Sequence, residues 1–354
     1  MPTPRTPAPS DEPPSDGTSP RARSPRWWVR PLVGTALVGA AVAWFLHAGR
    51  LDLRAVGRRL SDAPLWMVGL VLVGACTQVL LQGARFWRLF PPASRPRMVA
   101  LMGIFGAGQL VNAIAPARSG DVLKVILLRR SPVANQDGLA GLVGVMAADK
   151  LVDLAGLLLV IASSGPALRT LLARAPVPPL WLAIAVALAI AVLLVFERSS
   201  LRRSASRLRS SVRGFRSGVS AFKHPPQLLL SLVFAAGSWA VEGVLICGVC
   251  AAMGYSIAWG TAVVALVTLN LGIAIPVTLA NIGVFEAALA FGLTLNGVPT
   301  EVAVPAATLH HLLQIAAVAT WALLTGFRWP RRRSEPPASS RGAEARGAPR
   351  ARDR

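Results

Sequence analysis

Residues 98–124 read "MVALMGIFGAGQLVNAIAPARSGDVLK". An apolar, glycine-dotted run from Met98 to Val111 gives way within a few residues to Asn112, Pro116, Arg118, Gly120, Asp121 and Lys124. A plain membrane span stays apolar for ~20 residues, and this stretch does not. Pro116 lacks an N–H and disfavours helix at the residue before it, while Gly120 permits close approach or an unusual backbone angle. A helix resuming after Ser119 would offer free N–H groups. With the Arg118 guanidinium these would make an anion site, for which a lipid phosphate is the natural occupant. The alternative is a plain cytoplasmic loop with positive-inside charge.

The surrounding chain sets the context. It has 354 residues, 53% hydrophobic and only 15% charged, with mean hydropathy +0.53. Soluble domains carry about 25% charged residues. Several apolar runs are near ~20 residues long, and their helices lack the charged faces a soluble enzyme needs. The sequence predicts an all-α polytopic membrane bundle. Its formal net charge is +21, which in a soluble protein would suggest nucleic acid. Here the basic residues lie mostly in tails and loops, which suits anionic headgroups and topology rather than a nucleic-acid partner. Among 37 basic residues only Lys124, Lys150 and Lys223 are lysine. Cys76, Cys247 and Cys250 all fall in apolar runs and read as packing residues; "CGVC" lacks the second ligand pair of a zinc site. No metal or cofactor motif is present.

Residues 1–30 are a basic, Pro-rich tail of disordered composition, and 329–354 are a second. Between them, 31–328 forms the transmembrane domain. Full spans are predicted at 32–48, 64–82, 138–162, 178–196, 226–250 and 301–327, six in all. The first reads as an uncleaved signal anchor, because "FLHAGR" is a poor cleavage site. A short surface helix is expected within 48–63. In 197–224, Leu201, Leu208, Val212, Phe215, Val219 and Phe222 form one apolar stripe among eight Arg or Lys residues. That predicts a basic amphipathic helix in the cytoplasmic headgroup layer.

Two stretches remain, 98–130 and 257–297. The second is interrupted by "NLGIAIPVTLANIGVFE", with length for two helices, 257–275 and 283–297. Irregular backbone at membrane depth needs cover from protein or a water-filled cavity. If both stretches are re-entrant or broken hairpins, the N-terminus, 197–224 and the C-terminus all fall on the cytoplasmic face, as the positive-inside rule requires. The loop 48–63, with four arginines, fits that rule worst. Each half then reads span, hairpin, span, with opposite orientation, which is the inverted-repeat design of many transporters.

Ionisable groups at membrane depth cost ~2.5–3.5 kcal/mol each even on insertion scales, so they mark function or pairing. Arg85 in "LQGARFWRLF" is either an interface anchor beside Phe86 and Trp87 or a functional cation. Asp149 and Asp153 share a face of the span 138–162, and Lys150 is placed i,i+3 from Asp153; an internal pair and a proton or headgroup relay are both open. Glu242 lies in the span 226–250. Glu286 follows Asn281 and Gly283, and is expected to pair with Arg118 or Lys150. His310, His311 and Gln314 read as helix–helix hydrogen-bonding groups rather than ligands.

"ARFWRLF", "NAIAPARSGDVLKVILL", "ADKLVDL" and "IPVTLANIGVFEAAL", in that order, resemble the transmembrane region of lysylphosphatidylglycerol synthases, which also occurs as stand-alone flippase-like integral membrane proteins. The resemblance covers roughly residues 30–328. It matches Arg118, Gly120 and Asp121 to an Arg-x-Gly-Glu element, and Asp149, Lys150 and Asp153 to Glu-Arg-x-x-Asp. Gly283 and Glu286 match Gly-Gly-x-Gly-x-x-Glu, whose leading glycines are Ala280 and Asn281 here. It implies a lipid pathway between the hairpins, and no aminoacyl-transferase activity, because the soluble synthase domain of the bifunctional relatives is missing.

The expected function is a non-enzymatic, lipid-handling transporter of the plasma (inner) membrane. It would bind and translocate an anionic phospholipid or a polyprenyl-phosphate-linked lipid, with Arg85, Asn112, Arg118, Gly120, Asp121, Lys124, Asp149, Lys150, Asp153, Asn281, Gly283 and Glu286 forming the phosphate and headgroup site. The alternative is an intramembrane lipid-linked glycosyl- or headgroup-transferase, or an accessory protein of envelope lipid biosynthesis. Membrane lipids are the expected partners, with a homo-oligomer or envelope biosynthetic enzymes as further possibilities.

Overall fold

The computed structural model describes residues 53–115, 119–131, 138–165, 214–219, 222, 224–274 and 281–325, and the regular elements among them are helices, with no strand. In chain order the helices are α1 (Leu53–Ser61), α2 (Leu65–Arg88), α3 (Met98–Ile114), α4 (Ser119–Arg129), α5 (Gly138–Ser163), α6 (Pro225–Ala252), α7 (Trp259–Ile273), α8 (Val284–Thr294) and α9 (Thr300–Leu324). Prolines punctuate them. Pro64 precedes α2 in extended conformation, and Pro225 and Pro226 occupy the first turn of α6, where a missing N–H costs nothing. Ala115 ends α3 in extended conformation, as the residue before Pro116 should.

Helix length sorts the elements into two kinds. At ~1.5 Å per residue, α2, α5, α6 and α9 reach roughly 36 to 42 Å, more than the ~30 Å hydrocarbon core. The helices α2, α6 and α9 are also apolar enough to cross it; α5 carries Asp149, Lys150 and Asp153 near its middle. By contrast α3, α4, α7 and α8 have 17, 11, 15 and 11 residues, too few to cross alone. The order long, short, short, long therefore occurs twice, as α2–α5 and α6–α9.

Each pair of short helices is an antiparallel hairpin. Gly108 faces Gly120 and Gln109 faces Lys124 in the first; Gly272 faces Ala288 and Gly292 faces Thr268 in the second. The base of the first hairpin lies beside the C-terminal end of α9, where Gly103 meets Thr325 and Gly106 meets Ala322. The second hairpin joins the N-terminal end of α9 through residues 295–299. The two hairpins thus enter the bundle from opposite ends.

The helices α2 and α6 run antiparallel with Gly74 against Leu245, and Gly156 of α5 lies on Ala235 of α6 so closely that a Cβ there would be 2.6 Å from the alanine methyl. Small residues at such crossings let backbones approach, which is how membrane helices gain packing without a hydrophobic driving force. The centre is filled by Phe86, Leu101, Ile246, Leu266, Leu289 and their neighbours. The outside is apolar as well: Leu65, Trp66, Leu229 and Leu323 are exposed, which is the surface of a helix solvated by lipid.

The observed boundaries refine the expected ones. The span expected at 64–82 runs to Arg88, and 98–130 and 257–297 each divide into two helices. The surface helix expected in 48–63 is α1, which packs on α9 and donates Arg59 Nη1 to the Met253 carbonyl at 3.0 Å. The expected spans 32–48 and 178–196 and most of the amphipathic stretch 197–224 lie outside the described residues; of the latter, 214–218 is helical and lies on Gly144 of α5.

Candidate functional site

Two polar clusters lie inside the bundle, one against each hairpin. The first begins with Arg85, near the end of α2, which is buried and reaches across to α5. Its Nε donates to Asp149 Oδ1 at 2.9 Å and its Nη1 donates to Asp153. Two carboxylates one helical turn apart suit the planar guanidinium fork. Trp239 of α6 donates its indole N–H to the Asp153 carbonyl at 3.0 Å, so three long helices meet at this ion set.

The hairpin tip supplies the rest. The Gly120 N–H donates to Asn112 Oδ1 at 2.8 Å, and Asn112 Nδ2 donates to Asp121 Oδ1 at 3.3 Å. A Cβ on Gly120 would overlap the Gly108 carbonyl oxygen, so only glycine allows α3 and α4 to meet here. Lys124 Nζ is 3.0 Å from both Asp121 Oδ1 and Gln109 Oε1, and 4.6 Å from the centre of the Phe105 ring. Gln109 in turn donates to Gln82 of α2 at 3.3 Å. Lys150, midway along α5, completes the set with Nζ 3.5 Å from Asp121 Oδ2.

Charge and exposure divide this cluster. Arg85 against two aspartates leaves a formal −1, and two lysines against Asp121 leave +1. Arg85, Asp149 and Lys124 are enclosed. Lys150 is not: its side chain is 48% exposed, against 4% for Lys124. Asp121 and Asp153 are partly open beside it, at 20% and 26%.

The second cluster surrounds α9. Glu242 of α6 is buried, with His310 Nε2 2.9 Å from its Oε1, and accepts from Gln314 Nε2 at 2.6 and 2.8 Å and from Gln78 Nε2 of α2. One residue on, His311 Nδ1 lies 2.8 Å from Glu286 Oε1 of α8, with Phe285 stacked on the imidazole at 4.2 Å. The other Glu286 oxygen accepts the Gly283 N–H at 2.7 Å, capping α8. Gly283 has φ 81° and Asn281 φ 53°, the left-handed backbone that glycine and asparagine tolerate best. These two residues turn the chain into α8.

The structure thus brings Arg85, Asn112, Gly120, Asp121, Lys124, Asp149, Lys150 and Asp153 together around the first hairpin. It places Asn281, Gly283 and Glu286 at the tip of the second. Arg118 lies outside the described residues. The expected pairing of Glu286 with Lys150 is corrected: Lys150 meets Asp121, and Glu286 meets His311. Lys150 and Asp153 are only a turn apart, yet Lys150 turns to α4 while Asp153 joins Arg85. The N–H expected to be free at Gly120 is taken by Asn112. Arg85 is an interior ion-pair residue rather than an interface anchor. Sequence reasoning missed Gln78, Gln82 and Gln109. The signal was available in α2, where Gln78, Gln82 and Arg85 step by four and three and so share one helical face.

A family model described as "Lysylphosphatidylglycerol synthase TM region" matches residues 31–322. No curated protein and no solved structure matches the chain.

Proposed function

The chain belongs to the family of lysylphosphatidylglycerol synthase transmembrane regions, a multi-pass membrane family linked to lipid, and from that premise we propose that it binds lipids with a phosphate-bearing anionic headgroup and moves them between leaflets. In this reading the two hairpins are re-entrant, entering from opposite faces of the plasma membrane as inverted repeats. Their tips bring Asp121 to Lys150 and Glu286 to His311, midway along α5 and α9.

The observation that carries the reading is the half-exposed Lys150 ammonium at mid-helix. An ammonium facing hydrocarbon at that depth costs ~2.5–3.5 kcal/mol or more, so such groups face a protein interior or a wet cavity. With Asp121 and Lys124 it leaves one formal positive charge beside partly open Asp121 and Asp153. The six groups of the cluster sum to zero, so it is the open Lys150 ammonium itself that a phosphodiester passing along a polar groove pairs with, while its acyl or polyprenyl chains stay in the bilayer.

The test is purified protein in liposomes carrying fluorescent lipids of several headgroups. Anionic lipids should lose leaflet asymmetry faster than zwitterionic ones, and Lys150→Met should slow that exchange ~10-fold, equivalent to ~1.4 kcal/mol. Equal exchange of all headgroups, unaltered by Lys150→Met, contradicts the proposal. A chemically altered lipid would instead identify an enzyme.

A further inference from the structure

The two clusters neutralise their acids differently. Asp121, Asp149 and Asp153 face lysine or arginine. Glu242 and Glu286 face histidine, whose positive charge is itself a bound proton. Glu242 is the more deeply enclosed of the two. It accepts from the amides of Gln314 and Gln78 and pairs with His310 Nε2. The outer nitrogen of His310, Nδ1, is buried and has no hydrogen-bond partner among the described residues, in a side chain 1% exposed.

These facts fix two charge states. With His310 protonated, the pair is neutral overall and Nδ1 carries an N–H. With one proton lost to water, a neutral imidazole remains beside a carboxylate of charge −1. No second cation among the described residues compensates that charge. The cations on the other elements packed on α6 and α9 have their contacts elsewhere: Arg85 on α2 is held by two α5 aspartates, Arg88 lies over Trp87, Lys150 meets Asp121, and on α1 Arg58 donates to the Arg54 carbonyl and Arg59 to the Met253 carbonyl. The helices α3 and α7 carry no ionisable side chain, and Glu286 of α8 has its own histidine. A carboxylate left alone in a low-dielectric core is costly. Losing the proton therefore requires the pair to reach water or another cation, which demands a rearrangement of α9 against α6 and α2. A site whose occupancy and helix packing depend on each other is what coupling requires.

We propose that the Glu242–His310 pair binds and releases one proton in each transport cycle, so that headgroup movement is coupled to a proton gradient. This rests on the transport reading above, but the proton site can be tested without it. The first measurement is infrared difference spectroscopy of the detergent-purified protein from about pH 5 to about pH 8, the range in which histidine changes charge. The expected result is an imidazole and carboxyl band change with one component that is lost in both Glu242→Gln and His310→Asn and kept in Glu286→Gln, in which only the Glu286–His311 contribution should disappear. A band change that both Glu242→Gln and His310→Asn keep in full, or none in the wild type, overturns the site. The second measurement is the leaflet distribution of fluorescent lipid in proteoliposomes under an imposed gradient of about one pH unit. One proton per lipid shifts that distribution ~10-fold, since a pH unit is worth 1.36 kcal/mol. Glu242→Gln should abolish the shift. Lipid exchange that ignores the gradient overturns the coupling and leaves transport standing. The infrared change without any lipid exchange supports the proton site and sinks the transport reading instead.

Discussion

Arg85 and Lys150 are both cations inside the same helical bundle, and their surroundings give them opposite roles. Arg85 is enclosed, and its guanidinium holds two carboxylates. Arg85→Met leaves Asp149 and Asp153 without a counter-charge, and breaking a buried pair in that way costs about 3–5 kcal/mol. A thermal unfolding scan in detergent should show a large fall in Tm. Arg85→Lys should recover only part of it, because a point charge cannot serve both aspartates as the fork does. Lys150 is half exposed and 3.5 Å from its partner, the geometry of a pair worth about 0–1 kcal/mol. Lys150→Met should leave Tm nearly unaltered while slowing lipid exchange.

At the scale of the element, the hairpins depend on close backbone approach. Gly120 admits no Cβ against the Gly108 carbonyl and Asn112 Oδ1, so Gly120→Ala must spread α3 from α4. A loss of about 1–3 kcal/mol is expected, as for overpacked cores, again read as a fall in Tm. A Cβ added at Gly69 on α2 would meet nothing within 4 Å, and Gly69→Ala should be neutral or slightly stabilising through helix propensity. The hairpins were legible in the sequence because Pro116, Gly120, Pro276 and Gly283 break runs that would otherwise be continuous. Their partners were not. The sequence placed the end of the span in α2 near residue 82, but the helix continues to Arg88, and aspartates 64 and 68 positions away neutralise Arg85 within it. Glu286 was assigned Arg118 or Lys150 as a partner from charge alone, and it meets His311 because α8 packs along α9. Spacing within a helix shows which residues share a face; it carries no information on which helix that face will meet.

At the scale of the molecule, membrane class and family were readable from hydropathy and from four ordered motifs. The repeated long, short, short, long pattern shows in helix lengths rather than in residue identities, because lipid-facing and small packing positions accept many apolar residues. The central claim is that two hairpins entering from opposite faces carry polar groups to the middle of the membrane. Val122 on α4 and Ile282 at the start of α8 are exposed, at 60% and 58%, and each lies beside its hairpin tip. Spin labels at Val122→Cys and Ile282→Cys, in a protein whose Cys76, Cys247 and Cys250 are replaced by alanine, report depth through collision with oxygen and with a water-soluble nickel chelate. Both labels should lie near the bilayer midplane. A label at headgroup depth at either position would contradict the account.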